Sequence, residues 1–289
     1  MPHKSHDLQS RAGLIASECS LLGLGAGVAT CLALATALHG PSVLPIGRDA
    51  LVVSASLVSA GVVATVLGHA VDLGGCRSVH RRLARSWLPP VVFGSGLAIL
   101  LWLAAFWAWP ASGKLVPMPL IILQLASGGL ALFTLAAVGL RVLAAGTPAP
   151  GPGLAVLVQT VSHCIAGGLA IYLLLVAATD RLSPLGRQHL TASLSMMLGL
   201  SALWASILLR DSRVRGRIAG PPTPSTAEYE QAHYLASAAT LLGLALPGLV
   251  ILYVSLSDHD SGLLVACGMA AGSGHVMRYA WVVLANQGT

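Results

Sequence analysis

Glu18, His69, Asp72 and Arg77 are ionisable residues in or beside long apolar runs of this chain. His69 and Asp72 are three residues apart, so on a helix they share a face. Glu18 falls about one and a half helical turns into the first apolar run. Arg77 follows in the loop after Asp72. If successive apolar runs cross a membrane in alternate directions, all four groups meet at one depth near one surface. A carboxylate or imidazole there can hydrogen-bond a carbonyl oxygen and take or give the proton that accompanies each electron. A quinone headgroup requires that chemistry. The plainer alternative is interfacial charge, with Asp72 and Arg77 solvated and Glu18 paired with an arginine.

A second polar group lies in the last apolar run. His275, Arg278 and Tyr279 stand at i, i+3 and i+4, and Gly268 and Ala271 continue the same face. The spacing predicts a face packed against other helices, with Arg278 snorkelling to the surface to meet a lipid headgroup or an acidic neighbour. His163, beside Gln159 in the fifth run, lies at a depth similar to that of His275. A b-type haem needs two axial ligands at matched depth, and these two histidines are the pair that fits. The alternative is a histidine hydrogen-bonded to a neighbouring helix. Cys19, Cys31, Cys76, Cys164 and Cys267 include no C-x-x-C pair, so no iron–sulfur or zinc framework is expected. They read as small buried hydrophobes.

These groups must be positioned by membrane helices. Eight runs are long and apolar enough to be candidate spans: Gly13–Leu38, Ala50–Val71, Trp87–Trp109, Pro117–Ala144, Gly153–Thr179, Gln188–Leu209, Ala232–Leu256 and Gly262–Asn286. Only 9% of residues are charged, against roughly 25% in soluble domains. Backbone groups in lipid must be satisfied within the segment, so such runs are helices. The short alternating segments of a β-barrel are missing. The expectation is an all-α polytopic membrane protein of eight transmembrane helices, a single membrane domain over residues 1–289. The Pro/Gly-rich stretch Ala145–Gly153 divides it into two four-helix halves, 13–144 and 153–286. The polar Met1–Arg11 leads into a first helix expected to be retained. Asp72–Ser86 and Arg210–Gln231 read as the long loops, and Pro247 as a kink in the seventh helix. Gly23, Gly25 and Gly27 in the first helix, and Gly128 and Gly129 in the fourth, predict close helix approach. Trp102, Phe106, Trp107 and Trp109 read as an interfacial belt.

The net charge of +6 is gathered on one side. With alternating spans, Lys4, Arg11, Arg77, Arg81, Arg82, Arg85, Arg141, Arg210, Arg213, Arg215 and Arg217 share the face of the N-terminus. Arg48, Lys114, Arg181 and Arg187 fall on the other. Lysine and arginine beside spans are retained in the cytoplasm, which predicts cytoplasmic N- and C-termini. The basic balance is therefore a topological signal and implies no nucleic-acid partner.

The run Asp72–Phe93, DLGGCRSVHRRLARSWLPPVVF, resembles the signature after the second helix of the DmsC/NrfD group of membrane anchors. The matching parts are Asp72-Leu73-Gly74, the turn Gly75-Cys76-Arg77, and Ser86-Trp87-Leu88 opening the third helix. Leu8–Ala29 is similar to that group's glycine-rich first helix. The sequence departs in lacking a proline after Leu73-Gly74, and in having Pro89-Pro90-Val91-Val92 where an acidic residue commonly follows the Ser-Trp pair. The resemblance implies a bacterial inner-membrane subunit without haem. Such a subunit holds an iron–sulfur subunit and a molybdopterin catalytic subunit to the membrane and exchanges their electrons with quinone or quinol. It also implies that Asp72 binds quinol, with His69 one turn earlier as the alternative. The basic loops, with Arg81, Arg82, Arg85, Arg213 and Arg215, would receive an acidic iron–sulfur partner on the cytoplasmic face, or would bind anionic lipid. Alternatives are a b-type cytochrome using His163 and His275, a tether without quinone chemistry, and a transporter, which would carry broken helices in matching positions of inverted repeats.

Overall fold

The computed structural model describes residues 3–39, 50, 52–64, 118–145, 153–179, 184–218, 226–257 and 262–286. Every regular element among them is helical: α1 (His3–His39), α2 (Val52–Ala64), α3 (Met118–Ala145), α4 (Gly153–Thr179), α5 (Pro184–Ile218), α6 (Thr226–Thr240), α7 (Leu246–Leu256) and α8 (Leu263–Asn286). The chain is an all-α, multi-pass membrane protein. Among the described residues, four segments are long and apolar enough to cross a bilayer: Ala12–Ala35, Leu154–Ala177, Arg187–Asp211 and Glu230–Leu256. Shorter apolar helices cover Val52–Ala64 and Gly128–Leu140. The last predicted span, α8, is not among the four, because it carries Ser273, His275, Arg278 and Tyr279 among its apolar residues.

The helix ends depart from the sequence reading in two places. α1 begins at His3 and takes in the polar leader. Arg210–Gln231, expected as a loop, is helical up to Ile218 and again from Thr226. DSRVRGRI contains no breaker apart from Gly216, so the helix continues past the apolar run. The span Trp87–Trp109 with its aromatic cluster lies outside the described residues.

α1 is the axis of the bundle. Its membrane segment is 72% buried, against 28% for that of α5, which lies at the periphery. Glycines set the contacts. A Cβ on Gly27 would meet the Cys164 carbonyl, and one on Gly168 would meet the Gly27 backbone, so α1 and α4 cross almost backbone to backbone. Gly23 lies against Cys164 in the same parallel register. On another side, Ser54 Oγ of α2 donates to the Gly25 carbonyl at 2.8 Å, and Gly61 faces Leu22, so α2 runs antiparallel to α1. Gly128 faces Ala33, whereas Gly129 is open.

These pairings fix directions. α3 passes from Ala33 of α1 at Gly128 to Leu157 of α4 at Gly139, so it too opposes α1. α8 opposes α4, with Met277 beside Gln159 and Ala271 beside Gly167. The α6–α7 rod opposes α5 (His233 to Leu209, Ser195 to Gly248) and α8 (Gly243 to Ser273, Val250 to Gly262). The start of α1 and the end of α8 therefore share one face of the bundle with Ala64 of α2 and Ile218 of α5.

At Pro247 the expected kink takes a specific form. Leu241–Ala245 is a π-helical turn closed by the Leu246 N–H on the Leu241 carbonyl. In an α-helix the Gly243 carbonyl would receive the N–H of residue 247, which proline lacks. Ser273 Oγ of α8 lies 3.2 Å away and donates to that carbonyl instead. The approach leaves no room for a Cβ at Gly243.

Candidate functional site

Two polar sites stand on opposite faces of α1. The first is Glu18. It is only 2% exposed and shares a helical stripe with Leu22 and Gly25, the residues that face α2. α2 is antiparallel and Gly61 lies opposite Leu22, so Glu18, one turn back, is level with the end of α2 at Ala64. His69, Asp72 and Arg77, and the docking arginines Arg81, Arg82 and Arg85, lie outside the described residues. Arg213 and Arg215 fall in the last turns of α5.

The second site fills the junction of α1, α4 and α8. Arg278 is 2% exposed and does not snorkel. One terminal nitrogen donates to Ser20 Oγ at 3.0 Å and the other to Cys164 Sγ at 2.7 Å. A helical side chain leans toward its helix's N-terminus, and for α8 that direction leads away from the nearer surface and into the bundle. Gly274 and Gly23 leave space for the guanidinium; a Cβ at Gly274 would stand 2.8 Å from it. His275 and Tyr279 do not join Arg278. His275 is exposed, its ring meeting the Ala16 carbonyl, and Tyr279 packs beside Ala12, Ala232, Val282 and Val283. The buried stripe of α8 is Ala270, Gly274, Met277 and Trp281, with Ser273 and Arg278 at its margins.

His163 extends this junction toward the π turn. Its Nε2 lies 3.1 Å from the Ala270 carbonyl and 3.2 Å from Ser273 Oγ. A carbonyl only accepts, so the geometry assigns the proton to Nε2. With Ser273 donating onward to Gly243, His163 ties α4 to α8 and to the α6–α7 rod. It does not face His275 as an axial-ligand pair would, since its Nε2 is engaged on Ala270 while His275 turns toward Ala16. Gln159 Nε2 contacts Met277 Sδ at 2.6 Å, one turn away. Among the described residues, no three His, Cys, Asp or Glu side chains gather as a metal site, and Cys19, Cys31, Cys164 and Cys267 are free thiols.

Sequence reasoning missed Ser20, Cys164, Ser273, Thr160 and Trp281 as members of this junction. A signal was present in α4, where Gln159/His163 and Thr160/Cys164 form two i, i+4 pairs on adjacent stripes of an otherwise apolar helix.

No family model matches the chain, and comparison with curated proteins and with solved structures finds no significant match.

Proposed function

We propose that this chain is a DmsC/NrfD-type membrane anchor that exchanges electrons between a docked iron–sulfur subunit and membrane quinone or quinol. The observation that carries the reading is Glu18. A carboxyl buried in a membrane bundle is costly and is a functional candidate by default. This one faces α2, level with the end from which the chain runs on to His69 and Asp72. In this reading Asp72 or His69 hydrogen-bonds the quinone oxygen, and Glu18 exchanges the accompanying proton. Arg77 stabilises the anionic headgroup. Haem has no role, and electrons pass directly from the nearest cluster of the partner.

The reading includes eight spans. Helix directions alternate along the chain except between α2 and α3, which run the same way. One further crossing between Ala64 and Met118 restores the alternation, and Trp87–Trp109 has the length and composition for it. The excess of arginine and lysine on the face shared by both chain ends favours cytoplasmic termini in a bacterial inner membrane. Arg81, Arg82, Arg85, Arg213 and Arg215 would offer that face to the iron–sulfur subunit, which carries the molybdopterin subunit. The π turn before Pro247 is a feature that favours a transporter; its counterpart in a four-plus-four division is the span Trp87–Trp109, which lies outside the described residues.

The test is Asp72→Asn and His69→Ala in the assembled complex. Quinone-linked turnover should fall at least about tenfold, the effect expected of a lost proton-transfer group, while dye-linked activity of the partner survives. Normal quinone-linked turnover in both variants rejects the assignment, and purification of the chain without iron–sulfur or molybdenum partners rejects the anchor.

A further inference from the structure

Arg278 brings a charge into the bundle, yet the groups that receive its two terminal nitrogens are a hydroxyl and a thiol. Glu18 does not face it, standing about 200° around α1 from Ser20. The third donor of the guanidinium, Nε, has no acceptor among the described residues. Two more buried polar atoms on the helices that meet at Arg278 share that condition: Thr160 Oγ1 on α4 and Trp281 Nε1 on α8. Thr160 is 1% exposed and Trp281 6%. Arg278 and Trp281 are three residues apart, and both lean along α8 toward its N-terminus. The pairing of Met277 with Gln159 and of Arg278 with Cys164 puts Thr160 on the stretch of α4 that they lean along. Buried polar atoms are almost always hydrogen-bonded. Two of these three are donors only, and the third is a hydroxyl that can donate. Unmatched donors on facing stretches of two helices, one of them a buried cation, call for an acceptor that carries negative charge.

We propose that Arg278, Trp281 and Thr160 form a buried site for a small monovalent anion, chloride being the abundant one, held between α4 and α8. The anion accepts from the guanidinium Nε–H, the indole N–H and the threonine hydroxyl, and it neutralises a cation whose protein partners carry no charge. A charge in the membrane interior is tolerated when it is paired. Hydrogen bonds to an ion are also stronger than those between neutral groups. The site lies on the face of α1 turned away from Glu18, so it does not depend on quinone chemistry at that residue.

The experiment uses the full chain, purified in mild detergent, in sodium chloride or sodium gluconate at equal ionic strength. The thermal unfolding midpoint of the wild type should rise with chloride in a saturable way, and bromide should replace chloride. Thr160→Val and Trp281→Phe should each raise the half-saturating chloride concentration by about tenfold. A wild-type midpoint that is indifferent to halide means that water satisfies these donors, and it overturns the proposal. A halide response unchanged in both variants overturns the location. If Trp281→Phe fails to fold, the near-isosteric Thr160→Val decides alone.

Discussion

The two polar faces of α1 are close in sequence and opposite in construction. Toward α4 and α8, Ser20, Gly23 and Gly27 meet a network among described side chains: Ser20 with Arg278, Arg278 with Cys164, and His163 with Ala270 and Ser273. Its members come from three different helices, and glycine contacts hold the backbones too close for rearrangement. Toward α2, the stripe Glu18–Leu22–Gly25 has a single carboxyl at the level where α2 ends. The first face uses its polar atoms to hold helices together. The second buries one carboxyl level with the end of α2, the group to which the proposed quinone reading gives the proton exchange. Burial alone does not separate them, since Arg278 and Glu18 are equally hidden.

The sharpest way to break this contrast is Gly27→Leu. The new side chain would be driven into the Cys164 carbonyl and the Gly168 backbone, which cannot retreat as a side-chain tip can. A cost of about 3 kcal/mol or more is expected for such overpacking, read as loss of monodisperse protein on size exclusion. Next is the pair Ser20→Ala and Glu18→Gln. Ser20→Ala leaves a guanidinium donor unmatched and should cost about 1–2 kcal/mol in detergent unfolding, with quinone-linked turnover nearly unchanged. Glu18→Gln should do the reverse, lowering turnover severalfold with a smaller shift in the unfolding midpoint. If Ser20→Ala abolishes turnover as well, the two faces are not separate. The smallest effect belongs to the periphery. Ser195→Ala removes a 2.8 Å bond to the Gly248 carbonyl, and about 0.6 kcal/mol is typical for such bonds between membrane helices.

The helices were largely legible in the sequence, because prolines, glycines and charges punctuate the apolar runs. α4 covers Gly153–Thr179, the bounds of its apolar run. α5 outlasted its apolar stretch, since a helix already nucleated continues through arginines until something stops it. The candidate site was less legible. The i, i+3, i+4 spacing of His275, Arg278 and Tyr279 placed them on one side of a helix but could not say what that side meets. Ser20, Cys164 and Arg278 are joined by bonds 258 and 114 residues apart in sequence. Snorkelling is the usual reading of an arginine near a helix end, and only tertiary packing turns it inward. Glu18 was legible as a candidate because a carboxyl within an apolar run is costly in a membrane.

The π turn at Leu241–Ala245 amounts to one residue more than the α-helical count between α6 and α7. Each α-helical residue turns the chain by about 100°, whereas the wider π turn spreads one more residue over about the same rotation, so the two ends of the rod keep the phase of a continuous helix. With it in place, His233 reaches the Leu209 carbonyl at one end while Gly248 receives Ser195 at the other. Deleting Leu242 would return the turn to the α-helical count and leave the two ends of the rod in nearly the same phase. His233 and Gly248 would keep their partners on α5, so a deletion here should be tolerated better than a one-residue deletion in the regular part of α6 or α7, which rotates one end against the other by about 100°.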